Sequence, residues 1–236
     1  MGVINLVLFG RTGNGKSSTG NSILGYNAFT TKRSSKSVTK KCQVGQRKWK
    51  DCRILKVIDT PGLFDTEAKK NFIETEIVRC IDYAKDGVHG FILVLSIQNR
   101  FTEEEANAFE KLQYLFGPKI LDYMTIVFTC GDLLEEDCVS LDDYLRETSS
   151  NLKKLVSRCE KRVVIFDNKT KSEAKKESQI SKLLQIVEAN LAENGDSPYT
   201  NEVFEKAKSM ASQYYYMQDS ERGCQEKVKV LNEMVI

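Results

Sequence analysis

Eight residues near the start of the chain have the types and spacing needed to hold a phosphate chain. Residues 10–17 read Gly-Arg-Thr-Gly-Asn-Gly-Lys-Ser and match the pattern G-x-x-x-x-G-K-[ST]. The glycines let backbone N–H groups point at anionic oxygens, Lys16 is expected to reach the β- and γ-phosphates, and Ser17 is expected to place its hydroxyl on Mg²⁺. The predicted phosphate-binding residues are Gly10, Arg11, Thr12, Gly13, Asn14, Gly15, Lys16, Ser17 and Ser18.

A chance match to so short a pattern is the alternative, and the neighbouring residues argue against it. Residues 3–9 form an apolar run that is typical of a buried parallel strand, and residues 17–24 read as the helix that such a strand feeds. Strand, glycine-rich loop and helix therefore follow in the order that a nucleotide-phosphate site requires.

A second motif follows another strand. Residues 53–58 lead into Asp59-Thr-Pro-Gly62, where Asp59 can hold a Mg²⁺-bound water and Gly62 can donate its N–H to the γ-phosphate. Such a contact exists only while the γ-phosphate does, so residues 63–71 are a candidate switch. Without Lys16, an ordinary turn would explain the same four residues equally well.

The choice of base depends on a carboxylate after a later strand. Asp132 follows the run 123–129 and could accept hydrogen bonds from N1 and N2 of guanine, whereas adenine presents the wrong donor pattern. Its alternative role is a helix N-cap or a loop acid. Asn168, after a strand at 162–166, could complete the base pocket, although Asn-Lys is also common in turns.

Together these motifs resemble the AIG-type G domain of the GIMAP/IAN GTPases, and most closely its plant IAN members. The resemblance covers roughly residues 4–195 and rests on residues 10–25, residues 59–65, the block Leu95 to Gly117, and Thr129-x-x-Asp132. It implies binding of GTP, GDP and Mg²⁺. The family is similar to septins and chloroplast import GTPases, so it also implies a homodimer, or a heterodimer with a related member, through the nucleotide face. A role in immune or stress responses is implied by the resemblance alone.

The same resemblance implies the remaining metal ligand. The family's switch I threonine corresponds to Thr39, which would complete a magnesium set of Ser17, Thr39 and Asp59. The residues themselves show only that Thr39 lies between the phosphate loop and Asp59. Ser37 therefore stays an alternative.

Two departures from Ras-like GTPases bear on the chemistry. Leu63 and Phe64 stand where a water-orienting glutamine is usual, and the single histidine, His89, is interpreted as structural. We therefore expect slow hydrolysis by the monomer. Cys130 stands where Ras-like sites have a stacking lysine, which is expected to weaken guanine binding.

Arg100 is the candidate replacement for the missing glutamine. An arginine supplied across a dimer accelerates hydrolysis by roughly 10³ to 10⁵. A solvated loop charge is the alternative, because Thr102-Glu-Glu-Glu105 is a capping box that starts a helix just after it. The predicted catalytic residues are Lys16, Thr39, Gly62 and Arg100.

Composition narrows the class of protein. The chain has 236 residues, of which 41% are hydrophobic, and a net charge of +2 that argues against a nucleic acid as partner. Seven cysteines without a C-x-x-C pair are typical of a reducing compartment. No apolar run is long enough to span a membrane. We therefore expect a cytoplasmic protein, either free or peripheral on the cytosolic face of organelle membranes.

The elements predict an α/β fold with a doubly wound, mostly parallel sheet flanked by helices, which is the P-loop NTPase G domain, followed by a C-terminal helical extension. Strands are predicted near 4–9, 52–58, 88–97, 123–129 and 162–166, and residues 40–48 can pair with 52–58 as an antiparallel hairpin. The predicted division is a G domain at 1–195 and a helical extension at 196–236 that packs on the G domain or on a partner.

The functional interpretation is a guanine-nucleotide switch that hydrolyses GTP to GDP and phosphate, slowly as a monomer and faster as a nucleotide-dependent dimer, with a scaffolding output. One alternative is a GTP-binding assembly protein with negligible hydrolysis. Another is an ATP-dependent P-loop enzyme such as a small kinase, which Asp132 disfavours.

Overall fold

One sheet forms the centre of the molecule. The computed structural model describes residues 2–31, 39–62 and 70–200 together with Glu202 and Phe204. The strands are β1 (Val3–Phe9), β2 (Gln43–Lys48), β3 (Ile54–Asp59), β4 (Gly90–Ser96), β5 (Met124–Thr129) and β6 (Val163–Ile165). Their order in the sheet is β2-β3-β1-β4-β5-β6.

All neighbouring strands are parallel except β2 and β3, which pair as the predicted antiparallel hairpin. The other five strands are parallel to one another, so their carboxyl ends lie along one edge of the sheet; they are β3, β1, β4, β5 and β6. Loops that follow those strands therefore meet there. The predicted doubly wound, mostly parallel sheet is confirmed.

Helices cover both faces of the sheet. They are α1 (Lys16–Leu24), α2 (Lys70–Tyr83), α3 (Glu103–Phe116), α4 (Gly131–Glu136), α5 (Leu141–Glu147), α6 (Ser150–Arg158) and α7 (Glu173–Glu193), with short 3₁₀ turns at Lys50–Cys52 and Pro118–Tyr123. Among the described residues, no helix is long and apolar enough to cross a bilayer.

Each face of the sheet has its own apolar core. Along β1, Val7 and Phe9 pack with α2, α3 and α6, whereas Leu6 and Leu8 pack with α1 and α7. A strand buried on both faces needs apolar residues at almost every position, which accounts for the continuous run at 3–9. The start of the chain is therefore held in the middle of the sheet.

Residues past position 195 contribute to the first of these cores. Tyr199 is 1% exposed, and its backbone exchanges hydrogen bonds with Val88 at 3.0 and 2.7 Å. The Tyr199 hydroxyl donates to the carbonyl of Phe116, and Phe204 is also 1% exposed. Thus the described part of the predicted extension packs on the G domain. Residues 205–236 lie outside the described residues, and the division at 195 stays a prediction.

Replacing Tyr199 with alanine tests this packing. The substitution removes a buried aromatic ring and a hydrogen bond, so we expect the free energy of unfolding in urea to fall by about 3–5 kcal/mol. Tyr114→Ala is the control, because Tyr114 is 67% exposed, and it should change stability by less than about 0.5 kcal/mol. Equal stability of the two variants would show that residues past 195 are not part of the folded core.

Candidate functional site

The glycine-rich loop joins the end of β1 to the start of α1. A Cβ on Gly10 would lie 2.4 Å from the carbonyl oxygen of Val94, so only glycine fits so close to β4. Gly15 is the N-cap of α1, with a left-handed φ of 92° and no side-chain cap. The first N–H groups of α1 thus receive no capping side chain, and the helix dipole adds positive potential where they point.

Lys16 lies over this loop. Its ammonium donates hydrogen bonds to the carbonyls of Gly10 at 2.8 Å and Arg11 at 3.0 Å, and the residue is only 6% exposed. These bonds hold the charge at the mouth of the loop. An anion in the loop would therefore meet both the ammonium and the amino-terminal N–H groups of α1.

Three predicted magnesium ligands converge beside the loop. The Ser17 hydroxyl donates to Oδ2 of Asp59 at 2.6 Å, the Thr39 hydroxyl donates to the same oxygen at 3.3 Å, and the two hydroxyls are 3.2 Å apart. Ser17 is the second residue of α1, Asp59 ends β3, and Thr39 comes from the segment before β2. The structure brings together the set that the sequence predicts. Ser37, the alternative to Thr39, lies outside the described residues.

Asp59 is the electrostatic focus of this cluster. It is fully buried, and its Oδ1 has no hydrogen-bond partner among the described residues. Burial raises the pKa of this carboxyl, while the hydrogen bond from Ser17 and the charge of Lys16 oppose the shift. A buried carboxylate with a free oxygen beside two hydroxyls fits a hard divalent cation, whose preferred ligands are oxygens.

The Asp-Thr-Pro-Gly segment leaves β3 in an anchored turn. The Thr60 hydroxyl donates to the carbonyl of Leu8 at 2.6 Å and is completely buried, and Gly62 is buried as well. This places Gly62 near the end of β1 and hence near the phosphate loop. Leu63, Phe64 and the rest of the candidate switch up to residue 69 lie outside the described residues.

Asp132 lies at the same edge of the sheet, in the first turn of α4 after β5. Cys130 is the N-cap of α4, so the N-cap alternative for Asp132 is wrong. One Asp132 oxygen, Oδ2, forms an ion pair with Lys169, and Oδ1 is buried without a partner among the described residues. The hydrogen bond and charge of Asp132 raise the pKa of Lys169. Asp132 is therefore an acceptor with unused capacity.

Asn168 also reaches the site, but its amide is bonded to α1. Its Oδ1 accepts from the Ser22 hydroxyl at 2.8 Å, and its Nδ2 donates to the Thr19 hydroxyl at 3.1 Å. These bonds tie the loop after β6 to α1. A contact between Asn168 and a base would have to replace them, and that role stays a prediction.

Asn14 turns its side chain away from the phosphate-binding side of the loop. Its amide nitrogen donates to the carbonyl of Val94 at 3.1 Å and to Oε1 of Glu105 at 2.7 Å, and the residue is 1% exposed. Its own carbonyl accepts from the Thr129 hydroxyl at 2.8 Å. The Asn14 amide therefore braces the loop, and its backbone N–H donates to the carbonyl of Arg11 at 3.2 Å. Contact between Asn14 and a phosphate stays a prediction.

Glu105 and Thr129 are site residues that sequence reasoning did not identify. Glu105 appears in the sequence only as part of the α3 capping box, which the structure confirms, and Thr129 only as the first residue of Thr-x-x-Asp. Both brace the phosphate loop through Asn14. Glu105 belongs to the capping box and Thr129 to the Thr-x-x-Asp motif, so both could be found in the sequence. Neither motif predicts the hydrogen bond to Asn14.

The first turn of α3 holds the phosphate loop a second time, through an ion pair of 3.3 Å between Arg11 and Glu104. Both side chains are 47% exposed, so the pair adds little stability. Arg100 lies in the exposed loop between β4 and α3 and forms no ion pair with a described residue. Its charge is accordingly presented to solvent beside the site.

His89 is structural rather than catalytic in this geometry. The N–H of Asn5 donates to its Nδ1 at 3.1 Å, and burial lowers the pKa of the imidazole. His89 precedes β4 and so lies at the edge of the sheet opposite the phosphate loop. His89 is therefore too far from the phosphate loop to act on a nucleotide bound there.

Comparison with known proteins gives a consistent result. The model of the AIG1 family matches residues 4–218. Immune-associated nucleotide-binding protein 8 of Arabidopsis thaliana is 44% identical over 207 residues, which are 87% of this chain and 59% of that protein. Immune-associated nucleotide-binding protein 9 of the same plant is 46% identical, over 87% of this chain and 60% of its own length. The chain thus spans about three fifths of the length of these relatives.

Solved structures show the fold. Toc33 from Arabidopsis thaliana in complex with GDP and Mg²⁺ superposes with a TM-score of 0.58 at 17% identity, covering 79% of this chain and 85% of that chain. Dimerization is important for the GTPase activity of the chloroplast translocon components atToc33 and psToc159, and a structure of this system has a TM-score of 0.59 at 17% identity. It covers 79% of this chain and 84% of that chain. The fold is that of P-loop GTPase G domains.

Asp59→Asn tests the buried carboxylate. The pKa of Asp59 is raised above its usual 3.8 in the folded state, so its protonated form favours folding. That contribution is complete below the unfolded pKa and is lost as pH rises through the folded pKa. At about pH 7, without nucleotide and with EDTA, the neutral amide should therefore raise the free energy of unfolding by about 1 kcal/mol. The gain should shrink towards about pH 4, because protonation of the wild-type carboxyl increases as pH falls.

Urea unfolding at both pH values measures this difference. Asp137→Asn is the matched control, because Asp137 is exposed at the end of α4, and its effect should be near zero at either pH. A loss of stability in Asp59→Asn at neutral pH would show that the ionised carboxylate is stabilising and contradict the assignment of a cation-dependent charge.

Proposed function

The chain belongs to the AIG1 family, and on this basis we propose that it is a guanine-nucleotide switch that binds GTP with Mg²⁺ and hydrolyses it to GDP and phosphate. The observation that carries the proposal is the convergence of Ser17, Thr39 and the buried Asp59 beside the ammonium of Lys16. A buried carboxylate with an unpartnered oxygen is costly unless a cation meets it. Nucleoside triphosphates enter such sites with Mg²⁺.

Residues of this chain would hold the substrate from two sides. Backbone N–H groups from Gly13 to Ser18 and the Lys16 ammonium would bind the phosphates, and Ser17, Thr39 and Asp59 would hold Mg²⁺ directly or through water. The cation, when bound, neutralises charge that develops on the phosphate oxygens. Gly62 would donate its N–H to the γ-phosphate, so it and Thr39 would respond to the loss of that group.

Asp132 supports guanine as the base. Its Oδ1 has no described partner, and its Oδ2 is paired only with Lys169, which is largely exposed and can move aside. Two carboxylate oxygens match the N1 and N2 donors of guanine, and adenine offers no equivalent pair. Asn168 would join this pocket only by exchanging its bonds to α1.

Hydrolysis by the monomer is proposed to be slow, since Leu63 and Phe64 cannot orient a water. Arg100 is exposed beside the phosphate loop, where it could reach the nucleotide of a second protomer placed face to face. In the chloroplast translocon components atToc33 and psToc159, dimerization is important for the GTPase activity. We propose the same arrangement here, either as a homodimer or with a related family member.

The cellular role is proposed on the family alone. The relatives are named immune-associated, which supports a regulatory scaffold in immune or stress responses. We propose a cytoplasmic location, either free or peripheral on the cytosolic face of organelle membranes. The G domain is proposed to end near 195 and to be followed by a helical extension that begins by packing on the core.

Turnover as a function of protein concentration tests the catalytic proposal. GTP hydrolysis per protomer should rise with concentration in the wild type and fall by roughly 10³-fold or more in Arg100→Ala at high concentration. Arg146→Ala is the control, because Arg146 is 75% exposed and forms an ion pair with Asp143 on its own helix, α5. Equal, concentration-independent and very slow rates in all three proteins would instead favour a GTP-binding assembly protein that hardly hydrolyses GTP.

Base specificity is tested by Asp132→Asn. The amide loses one acceptor and gains a donor, so the affinity for GTP should fall by at least about tenfold. Xanthosine triphosphate has a carbonyl at C2 that can accept from the new donor, so its affinity should rise. Competition titrations against ATP, with Asp137→Asn as control, measure both changes. Displacement of bound GTP by equimolar ATP in the wild type would overturn the choice of guanine.

A further inference from the structure

A buried carboxylate on α2 lies outside the set of residues discussed so far. Glu76 is 2% exposed, and its Oε2 accepts a hydrogen bond from the backbone N–H of Cys42 at 2.5 Å. The closest recorded cation is Arg79, whose Nε lies 3.6 Å from Oε1 on the same helix. Removing a carboxylate from water is strongly unfavourable unless it gains compensating bonds. A position that keeps such a charge therefore invites a functional explanation.

The contact with Cys42 is made twice. The Cys42 thiol donates to the backbone carbonyl of Glu76 at 3.2 Å, in addition to the bond between the Cys42 N–H and the Glu76 carboxylate. Cys42 is 4% exposed, and burial, followed by the nearby Cys80 and Glu76, raises the pKa of its thiol, which keeps the donor proton in place. The chain at Cys42 is consequently pinned to α2 through both its backbone and its side chain.

The contact between Cys42 and Glu76 lies close in sequence to Thr39, a proposed magnesium ligand. Cys42 directly precedes β2 and follows Thr39 by three residues, a stretch that spans at most about 10 Å. Glu76 belongs to α2, which begins at Lys70 after the segment that leaves Gly62. The carboxylate thus ties the stretch that carries Thr39 to α2, the helix that follows Gly62 in the chain. Thr39 and Gly62 carry the proposed γ-phosphate contacts.

We propose that Glu76 is a positioning residue that couples Thr39 to α2, so that the segments carrying Thr39 and Gly62 take up their triphosphate-bound arrangement together. The inference rests on the proposed function, since it concerns the response to the γ-phosphate. Thr39 and Gly62 meet the γ-phosphate only in the GTP complex. Loss of Glu76 should therefore weaken binding of a GTP analogue while leaving GDP binding nearly unchanged.

Nucleotide titration of the full chain in Mg²⁺ tests the coupling. Kd is measured for GDP and for a non-hydrolysable GTP analogue in the wild type, Glu76→Ala and Glu76→Gln. The ratio of the GDP Kd to the analogue Kd should fall about tenfold in Glu76→Ala, because a hydrogen bond to a charged group is lost. It should fall by a smaller factor in Glu76→Gln, whose amide oxygen can still accept from Cys42.

Two matched variants separate coupling from structure. Cys42→Ala removes the thiol but keeps the backbone N–H that bonds to Glu76, and Glu193→Gln neutralises an exposed acid at the end of α7. Cys42→Ala should lower the ratio by a smaller factor than Glu76→Ala does, because the backbone bond remains, and Glu193→Gln should keep the wild-type ratio. Equal weakening of GDP and the analogue in Glu76→Ala, or an unchanged ratio, would overturn the proposal, because either result shows a structural role only.

A measurement on the wild type covers the case in which the Glu76 variants do not fold. Amide hydrogen exchange at Cys42 should be slower with the GTP analogue than with GDP, because the triphosphate complex would hold the Cys42 to Glu76 bond closed. Identical exchange in the two complexes would overturn the coupling. Failure of the wild type to bind either nucleotide would instead remove the proposed function, and this inference with it.

Discussion

The carboxylate of Asp59 is the constraint on which the site depends. It lies at the end of β3, fully buried, with one oxygen held by two hydroxyls and the other without a described partner. Such a group is unfavourable in an isolated folded chain and becomes favourable when a cation arrives. The residues around Asp59 fit this need for a cation. Ser17 and Lys16 are close enough to stabilise the carboxylate charge, and a cation needs space between them and Asp59.

Placing those groups is the work of the parallel sheet. Strands β1, β3, β4 and β5 all end at one edge of the sheet. The phosphate loop, Asp59, the loop before α3 and Asp132 are therefore neighbours, although they are far apart in sequence. Polar contacts then brace these loops. Glu105 and Thr129 hold Asn14, and Asn168 holds α1. The phosphate loop is thereby fixed before any ligand binds, which is what preorganised recognition requires.

The proposed base-binding side of the site differs from that of Ras-like proteins. Cys130 has a left-handed backbone at the start of α4, and no lysine follows Thr129 as in Ras-like proteins. The structure instead brings Lys169, from the loop after β6, onto Asp132. That pair neutralises the carboxylate without burying the lysine, which is 64% exposed. A base bound at Asp132, as proposed above, would compete with a solvated ammonium rather than with a buried ion pair.

The sequence by itself determined whatever depends on neighbours along the chain. The doubly buried run at 3–9, the hairpin partner of β3 and the capping box at Thr102 are local patterns, and the structure confirms all three. The glycine and lysine spacing of the phosphate loop is also a local pattern, and its phosphate-binding role stays a prediction. Only the tertiary structure decided which side chains pair across the sheet edge. Asn14 with Glu105, Asp132 with Lys169, and Glu76 with the backbone of Cys42 are separated by 91, 37 and 34 residues respectively. The hydrophobic pattern along the chain predicts which residues are buried. The hydrogen-bond partner of a side chain depends instead on which loops the strand order brings together.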